Sequence, residues 1–438
     1  MSTALGREEE RPVVSRDPGG PPDGNPGDSR FDDSPNDESG ARRSSALPER
    51  GHLDQVDLFR ITTFAAVVGV HTIGSGSSAL SETGNALLML GHYTREAFFF
   101  LTGLVLSHSL RDRPLVLRRF WPRRVPLVAL PYLCWSVVYV WYGRWRGSLF
   151  GVTPGPLWHQ LWYETLLGQA SYHLYFLLVT VQIYLLFPLV HRFRRTLNAH
   201  PARVLLSTAA VDAAVMYLSH GSHPAGPVGG FLHRWTYLTI VPYLFWVLAG
   251  AWVAARLPAV QSWLWRHRVV VVIAALATFA AALAVYVDGV RDGVLPPNAA
   301  DAVQPVIVAS ATGAILLQAV LALGWVRRRR PGSVATRLVM WGSTVAFGVY
   351  LIHPIVLDRL LAHGFNGDRQ SYLFAPWSSG LPKVRLGQPA AGLLVWILTL
   401  AVSGLIISAL RWTPLSLALT GRARRRPGWP NIARRARP

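Results

Sequence analysis

Long apolar blocks follow one another along most of this chain, and they restrict its possible folds more than any other feature. The 438 residues are 51% hydrophobic and only 15% charged, whereas a soluble globular protein carries about 25% charged residues. A helix that crosses a bilayer needs about 20 mostly apolar residues. We therefore predict an all-α integral membrane protein with about ten transmembrane helices. The predicted spans lie near residues 56–75, 94–110, 125–142, 173–190, 204–219, 237–255, 269–287, 303–324, 338–361 and 390–411.

Arginine and lysine are distributed unevenly over the connections between these spans. Alternate connections, counted together with the segment after the last span, hold 26 basic residues, and the opposite set holds 8. Cytoplasmic loops of membrane proteins are enriched in arginine and lysine. The distribution therefore predicts that both termini are cytoplasmic. The basic set consists of residues 109–124, 191–203, 256–268, 325–337 and 411–438.

The two ends of the chain differ in composition from the apolar region. Residues 1–55 are rich in Pro, Gly, Ser and Asp and carry a net charge of −5, so we predict a disordered cytoplasmic tail. Residues 56–411 form the predicted ten-helix membrane domain, and residues 412–438 a basic cytoplasmic tail. The net charge of +20 is concentrated in loops, which indicates contact with the bilayer surface and no nucleic-acid partner. The composition, rich in Arg, Ala, Gly and Pro, hints at a bacterial genome of high GC content, and so at the bacterial cytoplasmic membrane.

The first predicted span carries three ionisable residues, Asp57, Arg60 and His71. Ionisable side chains within a span are costly and are candidates for function. Arg60 and His71 stand 11 positions apart, which places both on one face of a helix, about 16 Å apart along its axis. Asp57 lies one turn before Arg60 and can pair with it. On spacing alone, two structural alternatives stay open: Arg60 can extend to the lipid headgroups, and His71 can bond to a neighbouring helix.

The second predicted span contains the segment Arg95–Gly103, with an acidic residue near its outer end. Glu96 could orient or charge-stabilise a histidine, or it could simply pair with the adjacent Arg95. Thr102 and Gly103 allow the backbone of another helix to approach closely. This segment is therefore either part of a reaction site or a helix-packing surface.

The loop before the third span holds four arginines within seven residues: Arg118, Arg119, Arg123 and Arg124. A guanidinium group suits multidentate binding of phosphate. The same residues are also explained as topology anchors of a cytoplasmic loop. Both interpretations stay open at this point.

Two further histidines occur in later spans. His173 opens the fourth span, and His353 lies about 15 residues into the ninth. Their spacing does not match a metal-binding motif, and the single cysteine, Cys134, excludes a cysteine-based zinc site. We therefore expect no metal site.

Taken in this order, the segments resemble the acyltransferase-3 family of integral-membrane O-acyltransferases, over roughly residues 55–410. The departures are Thr102, where the family usually has serine, and Val105, where a Phe-Leu step is typical. Threonine keeps the hydroxyl group. The matching segments are Asp57 through Arg60 to His71, Arg95–Leu106, Arg118–Pro126, His173–Leu177 and Tyr350–Pro354.

The resemblance implies transfer of an acyl group, commonly acetyl, from cytoplasmic acyl-CoA to a hydroxyl of a sugar, glycolipid, cell-envelope polysaccharide or secondary metabolite. It makes His71 the catalytic residue, as general base or as covalent acyl carrier, with Glu96 holding the imidazole. Acyl-CoA is a co-substrate, and no permanently bound cofactor is expected. The acceptor would be acylated by the bundle itself or by a separate extracytoplasmic partner protein. The implied acyl-CoA-binding set is Asp57, Arg60, Thr102, Gly103, Arg118, Arg119, Arg123 and Arg124, and the implied acceptor side is His173, Tyr350 and His353.

The main alternative is a transporter or flippase, in which Arg60, His71 and Asp212 line a proton or substrate path. Against it, the sequence has no internal repeat and no matched pair of Gly- or Pro-broken spans in its two halves. Turnover of acyl-CoA by the purified protein distinguishes these two classes.

Overall fold

A computed structural model describes residues 53–111, 114–146, 155–220, 235–364, 371–373, 384–386 and 388–425. The described elements are helical apart from two strands, β1 (Ser371–Leu373) and β2 (Val384–Leu386), which pair antiparallel. Two 3-10 turns, Thr236–Leu238 and Val241–Tyr243, precede the ninth helix. The helices are α1 (Asp54–Gly76), α2 (Glu82–Gly91), α3 (Tyr93–Ser109), α4 (Leu117–Arg124), α5 (Pro126–Arg146), α6 (Leu157–Leu167), α7 (Tyr175–Ala199), α8 (Pro201–Ser219), α9 (Leu244–Ala255), α10 (Leu257–Arg266), α11 (Arg268–Arg291), α12 (Pro296–Ala299), α13 (Val306–Arg328), α14 (Val334–Gly364), α15 (Gln388–Leu410) and α16 (Ser416–Thr420).

Eight of the described helices are long and apolar enough to cross a membrane. If a bent pair of helices is counted as one further span, the number is nine. The bent pair consists of Val241–Ala255 and Leu257–Arg266, which meet at 95°. The predicted span at 94–110 corresponds to α3, whose 17 residues are about 26 Å long, slightly less than the bilayer core of about 30 Å. The helical, multi-span fold is thereby confirmed, whereas the count of ten stays a prediction.

The N-terminal boundary of the bundle lies slightly earlier than the sequence predicts. Helix α1 begins at Asp54, inside the stretch predicted to be disordered. The Asp54 carboxylate forms an ion pair with Arg329 at the end of α13, which attaches this first turn to the bundle. The rest of the predicted tail, residues 1–52, lies outside the described residues.

The C-terminal boundary lies later than predicted, because residues 411–425 are not a free tail. Helix α16 packs against α5 and α14, and the Trp135 indole donates to the carbonyl of Leu419 at 3.1 Å. Ser416 and Thr420 are both buried. The prediction of a tail from residue 412 is therefore wrong as far as residue 425, and residues 426–438 lie outside the described part of the chain.

Helix α1 lies within the bundle and packs against α2, α3, α13, α14 and α15. It carries Arg60 towards one end of the bundle and His71 towards the other. We call these ends the basic end and the histidine end. The predicted one-face arrangement of the two side chains follows directly from the unbroken helix between them.

Contacts between connections agree with the predicted grouping of the loops. At the basic end, the Arg256 guanidinium donates to Asn198 at 2.6 Å, so two loops predicted on one side meet. At the histidine end, His220 contacts Asp301 at 3.0 Å, which joins two loops predicted on the other side. Which end faces the cytoplasm stays a prediction.

Helices α3 and α9 cross with their backbones in contact. A Cβ atom added at Gly103 would lie 2.1 Å from the carbonyl oxygen of Val247. In the reciprocal direction, a Cβ at Gly250 would lie 2.1 Å from the carbonyl oxygen of Phe100. Small residues permit this approach in membrane bundles, where packing rather than the hydrophobic effect holds helices together.

Gly103→Ala is expected to destabilise the protein by about 1–3 kcal/mol, because the new methyl group must push two backbones apart. The measurement is the free energy of unfolding of the purified protein in mixed micelles. Gly74→Ala is the matched control, since a Cβ there meets its nearest atom, in Leu88, at 3.9 Å. Equal stability of the two variants would contradict this packing argument.

Candidate functional site

Three histidines from distant parts of the chain form one cluster at the histidine end. The imidazole of His353 in α14 stacks on that of His71 in α1, with ring centroids 5.3 Å apart and planes inclined by 26°. His173, just before α7, meets His353 edge-on at 5.3 Å. The structure thus brings together the predicted catalytic residue and two predicted acceptor-side residues. Among the described residues, no group of three or more His, Cys, Asp or Glu is arranged to hold a metal ion.

The orientation of His353 follows from the proline beside it. Pro354 has no N–H group, so the carbonyl of Tyr350, four residues earlier, lacks its helical donor. The Nδ1 atom of His353 lies 2.7 Å from that oxygen and must donate to it, because a carbonyl only accepts. The neutral ring therefore presents an unprotonated Nε2, which is buried without a hydrogen-bond partner. Such a nitrogen can accept a proton or attack a carbonyl carbon.

Tyr350 connects His353 with His173. Its hydroxyl donates to the backbone carbonyl of His173 at 2.5 Å. The Nδ1 atom of His173 lies 3.1 Å from the Ser171 hydroxyl, and its Nε2 is buried without a partner. Tyr350 therefore holds the loop before α7 against α14, and two imidazoles expose unbonded nitrogens to the same buried region.

His71 has two further neighbours that sequence reasoning missed. The ring of Tyr172 lies 4.6 Å from the His71 ring, centroid to centroid. His92, between α2 and α3, lies within electrostatic range of His71, and its Nε2 donates to the carbonyl of Ala300 at 2.8 Å. Both residues adjoin segments singled out in the sequence, since His92 lies three residues before Arg95 and Tyr172 directly precedes His173.

A second missed group lies beside the histidine cluster. Asp358 in α14 binds Arg146 through two contacts of 3.0 and 3.1 Å, and it accepts a hydrogen bond from the Tyr142 hydroxyl. It lies within electrostatic range of Tyr172, which contacts His71. The signal was available, because Asp358 is an ionisable residue inside the predicted span 338–361.

Arg60 occupies a polar site at the basic end. Its guanidinium lies 3.5 Å from the Asp57 carboxylate and donates to the Ser343 hydroxyl at 3.1 Å. Ser343 in turn donates to Asp57 at 2.6 Å. The predicted pairing of Asp57 with Arg60 is confirmed. A quarter of the Arg60 side chain stays exposed, so this cation is oriented by its neighbours and still accessible to a ligand.

The arginine-rich segment contributes one residue to this site. The phenol of Tyr184 in α7 lies within electrostatic range of Arg60 and of Arg124. Arg124 is half-buried at the end of α4. The exposed arginines of the segment are Arg118, Arg119 and Arg123.

Glu96 belongs to a different buried group. Its Oε1 lies 3.3 Å from the guanidinium of Arg95, which also donates to the carbonyl of Ala302 at 2.8 Å. Asp212, also fully buried, lies within electrostatic range of both residues and accepts from the Trp246 indole at 3.2 Å. A completely buried carboxylate needs a cation, and Arg95 supplies it. The geometry favours the pairing alternative for Glu96, and its role towards His71 stays a prediction.

Thr102 and Gly103 have structural contacts of their own. The Thr102 hydroxyl donates to the carbonyl of Phe98, four residues earlier, at 2.9 Å, so its proton is already in use. Gly103 meets the backbone of α9 at Val247. Both residues therefore act within the packing of α3, and the acyl-CoA-binding role predicted for them has no geometric support here.

The comparisons with known proteins agree with the resemblance. A family model described as "Acyltransferase domain", that of the acyltransferase-3 family, matches residues 53–416. This range contains the histidine cluster and the Arg60 site. No curated protein and no solved structure is significantly similar to the chain.

Proposed function

This chain belongs to the acyltransferase-3 family, and from that premise we propose that it is a membrane O-acyltransferase that uses acyl-CoA. The donor is a cytoplasmic acyl-CoA, in the simplest case acetyl-CoA. The acceptor is a hydroxyl of a sugar, glycolipid, cell-envelope polysaccharide or secondary metabolite. One observation carries the proposal: a single face of α1 joins an arginine site at the basic end to a histidine cluster at the histidine end.

The basic end suits the phosphates of coenzyme A. Arg60 and Arg124 both lie within electrostatic range of Tyr184, and Ser343 and Asp57 fix the Arg60 guanidinium in one orientation. Planar guanidinium groups bind phosphate oxygens in pairs of hydrogen bonds. With this end towards the cytoplasm, as the loop charges predict, the nucleotide part of acyl-CoA stays at the mouth of the bundle.

Aromatic rings separate the two ends along α1. Phe64 lies on the face that Arg60 and His71 share, and its ring meets Phe98 at 5.1 Å and Tyr350 at 5.7 Å between centroids. A bulky charged nucleotide does not fit among such rings, whereas a thin, largely uncharged pantetheine arm can pass beside them. The helix rise gives about 16 Å from Arg60 to His71, so an extended arm is needed to present the thioester to the cluster.

The chemistry is the exchange of a thioester for an ester. As general base, His71 takes the proton of the acceptor hydroxyl while its oxygen attacks the thioester carbonyl carbon. The carbon–sulfur bond breaks, and the departing thiolate takes the proton from the imidazolium, so atoms and charges balance. As covalent carrier, the imidazole itself forms the first bond to the acyl group, and the hydroxyl then displaces it.

The test is direct transfer by the purified full-length protein. We expect radiolabelled acetyl-CoA to yield alkali-labile label on some members of a panel of hydroxyl-bearing acceptors, with release of free coenzyme A. The panel should contain envelope polysaccharides, glycolipids and free sugars, tested with and without extracytoplasmic extract to supply a partner protein. Solute transport by reconstituted protein without any thioester turnover would replace this proposal with the transporter alternative.

A further inference from the structure

We propose that Arg422, beyond the last long helix, is a phosphate-binding residue of the acyl-CoA site. The inference rests on the proposed function, because it assigns a further residue to the same co-substrate. The family match ends at residue 416, so nothing in that match points to Arg422. The contacts of Arg422 at the basic end point to this role.

Arg422 and Arg60 converge on one serine. The Arg422 guanidinium donates to the backbone carbonyl of Ser343 at 3.3 Å, and the Arg60 guanidinium donates to the Ser343 hydroxyl at 3.1 Å. Arg124 lies within electrostatic range of Tyr184, which is itself within range of Arg60. Two guanidinium groups from distant segments therefore meet at one serine at the basic end.

The segment that carries Arg422 is folded into place. Gly421 adopts a left-handed conformation with φ +65°, which ends α16 and turns the chain back towards α14. A Cβ at Gly421 would lie 2.6 Å from the Phe347 ring, so the turn also depends on the absence of a side chain. The Ser416 hydroxyl then donates to the carbonyl of Arg422 at 2.8 Å. These contacts hold Arg422 beside the mouth.

The neighbouring arginines are engaged elsewhere. Arg424 donates to the carbonyl of Trp412 at 2.8 Å, and the Arg425 guanidinium lies over the Trp412 ring, 4.9 Å from its centroid. If these residues served only as general topology anchors, Arg422 would have no reason to turn towards Ser343. Its direction distinguishes it from the rest of the basic segment.

The charge balance of the mouth indicates the class of ligand. Arg60 and Arg422 are two cations that both donate to Ser343, and among the described residues Asp57 forms an ion pair with Arg60. Like charges repel when they are brought together, and an anionic ligand with several phosphates removes that repulsion. Coenzyme A carries a diphosphate and a separate 3′-phosphate, so it can offer phosphate oxygens to more than one neighbouring guanidinium group.

The experiment compares coenzyme A binding by the full-length protein and its variants, without any need for turnover. A hydrogen bond to a charged group contributes about 1.5–3 kcal/mol, so Arg422→Ala should weaken binding of coenzyme A by at least about tenfold. Arg422→Lys should bind with intermediate affinity, because it keeps the charge but loses the planar fork. Arg424→Ala is the matched control and should bind like the parent.

A second measurement identifies the phosphate contacts. Dephospho-coenzyme A lacks the 3′-phosphate, so comparing it with coenzyme A shows whether the Arg422 effect depends on that group or on the diphosphate. Arg422→Gln keeps a side chain that can still donate to Ser343, and it replaces Arg422→Ala if the alanine variant fails to fold. We expect weaker binding of at least one of the two ligands by each neutral variant.

Two failures can be told apart. If the parent protein binds no coenzyme A, the proposed function itself is wrong. If the parent binds coenzyme A and folded Arg422→Ala or Arg422→Gln binds both ligands equally tightly, the assignment of Arg422 is overturned while the proposed function stands.

Discussion

His71→Ala is expected to lower the rate of acyl transfer by about 10²- to 10⁴-fold, the usual cost of losing a general base. Binding of acyl-CoA should persist, because the arginines that hold its phosphates lie at the other end of α1. The measurement is the initial rate of ester formation together with the dissociation constant for coenzyme A. A well-inserted His71→Ala protein that works at the parental rate would contradict the assignment.

A control variant must show that the lost rate is due to the position of His71 and not to the removal of any histidine from the protein. His200 lies exposed between α7 and α8, outside the cluster. We expect His200→Ala to keep the parental rate and the parental affinity. Equal losses in both variants would indicate a general effect on folding, and they would count against His71 as the reacting residue.

The same variant distinguishes the two forms of the mechanism. If His71 carries the acyl group covalently, radiolabelled acetyl-CoA without acceptor should leave label on the parent and none on His71→Ala. If His71 acts only as a base, neither protein should retain label. The ring of His353 lies 5.3 Å from that of His71, centroid to centroid, and its Nε2 has no hydrogen-bond partner. If His353 rather than His71 carried the acyl group, the label would appear on His353.

Much of the fold was readable from the sequence, because a span is a local property of about 20 residues. The face shared by Arg60 and His71 was equally predictable, since helix geometry alone relates them. Their meeting with His173 and His353 was not, because no local pattern says which helices become neighbours. Only the resemblance placed these histidines in one site.

Two features of the structure could not be read from the sequence, for physical reasons. The segment after residue 411 looked like a tail because its arginines dominate the composition, yet Ser416, Leu419 and Thr420 form a short helix that packs on α5. Glu96 looked like a partner for a histidine because it lies at the right depth. Its neighbour Arg95 turned out to be its cation, an alternative that the sequence alone left open.

Arg95→Met is expected to cost about 3–5 kcal/mol of stability, because removing one partner of a buried ion pair leaves an uncompensated charge. Removing Arg95 would leave the carboxylates of Glu96 and Asp212 without their cation. Glu96 and Asp212 are both fully buried, and each keeps one oxygen without a hydrogen-bond partner. The measurement is the free energy of unfolding in mixed micelles, with Arg291→Met as control. That arginine pairs with Asp288 at the surface, where both side chains are more than 70% exposed, so its loss should cost little.

The charges of Arg95, Glu96 and Asp212 also predict how the losses of stability should rank among their variants. Glu96→Gln leaves Arg95 with Asp212, so it should cost less than Arg95→Met. Asp212→Asn leaves Arg95 balanced by Glu96, so its cost should be the smallest of the three. The Arg95→Met, Glu96→Gln double variant should cost less than the sum of the two single changes, since the residues are in direct contact. If Asp212→Asn is as damaging as Arg95→Met, the group is not held together by its charge balance, and Asp212 has a role of its own inside the bundle.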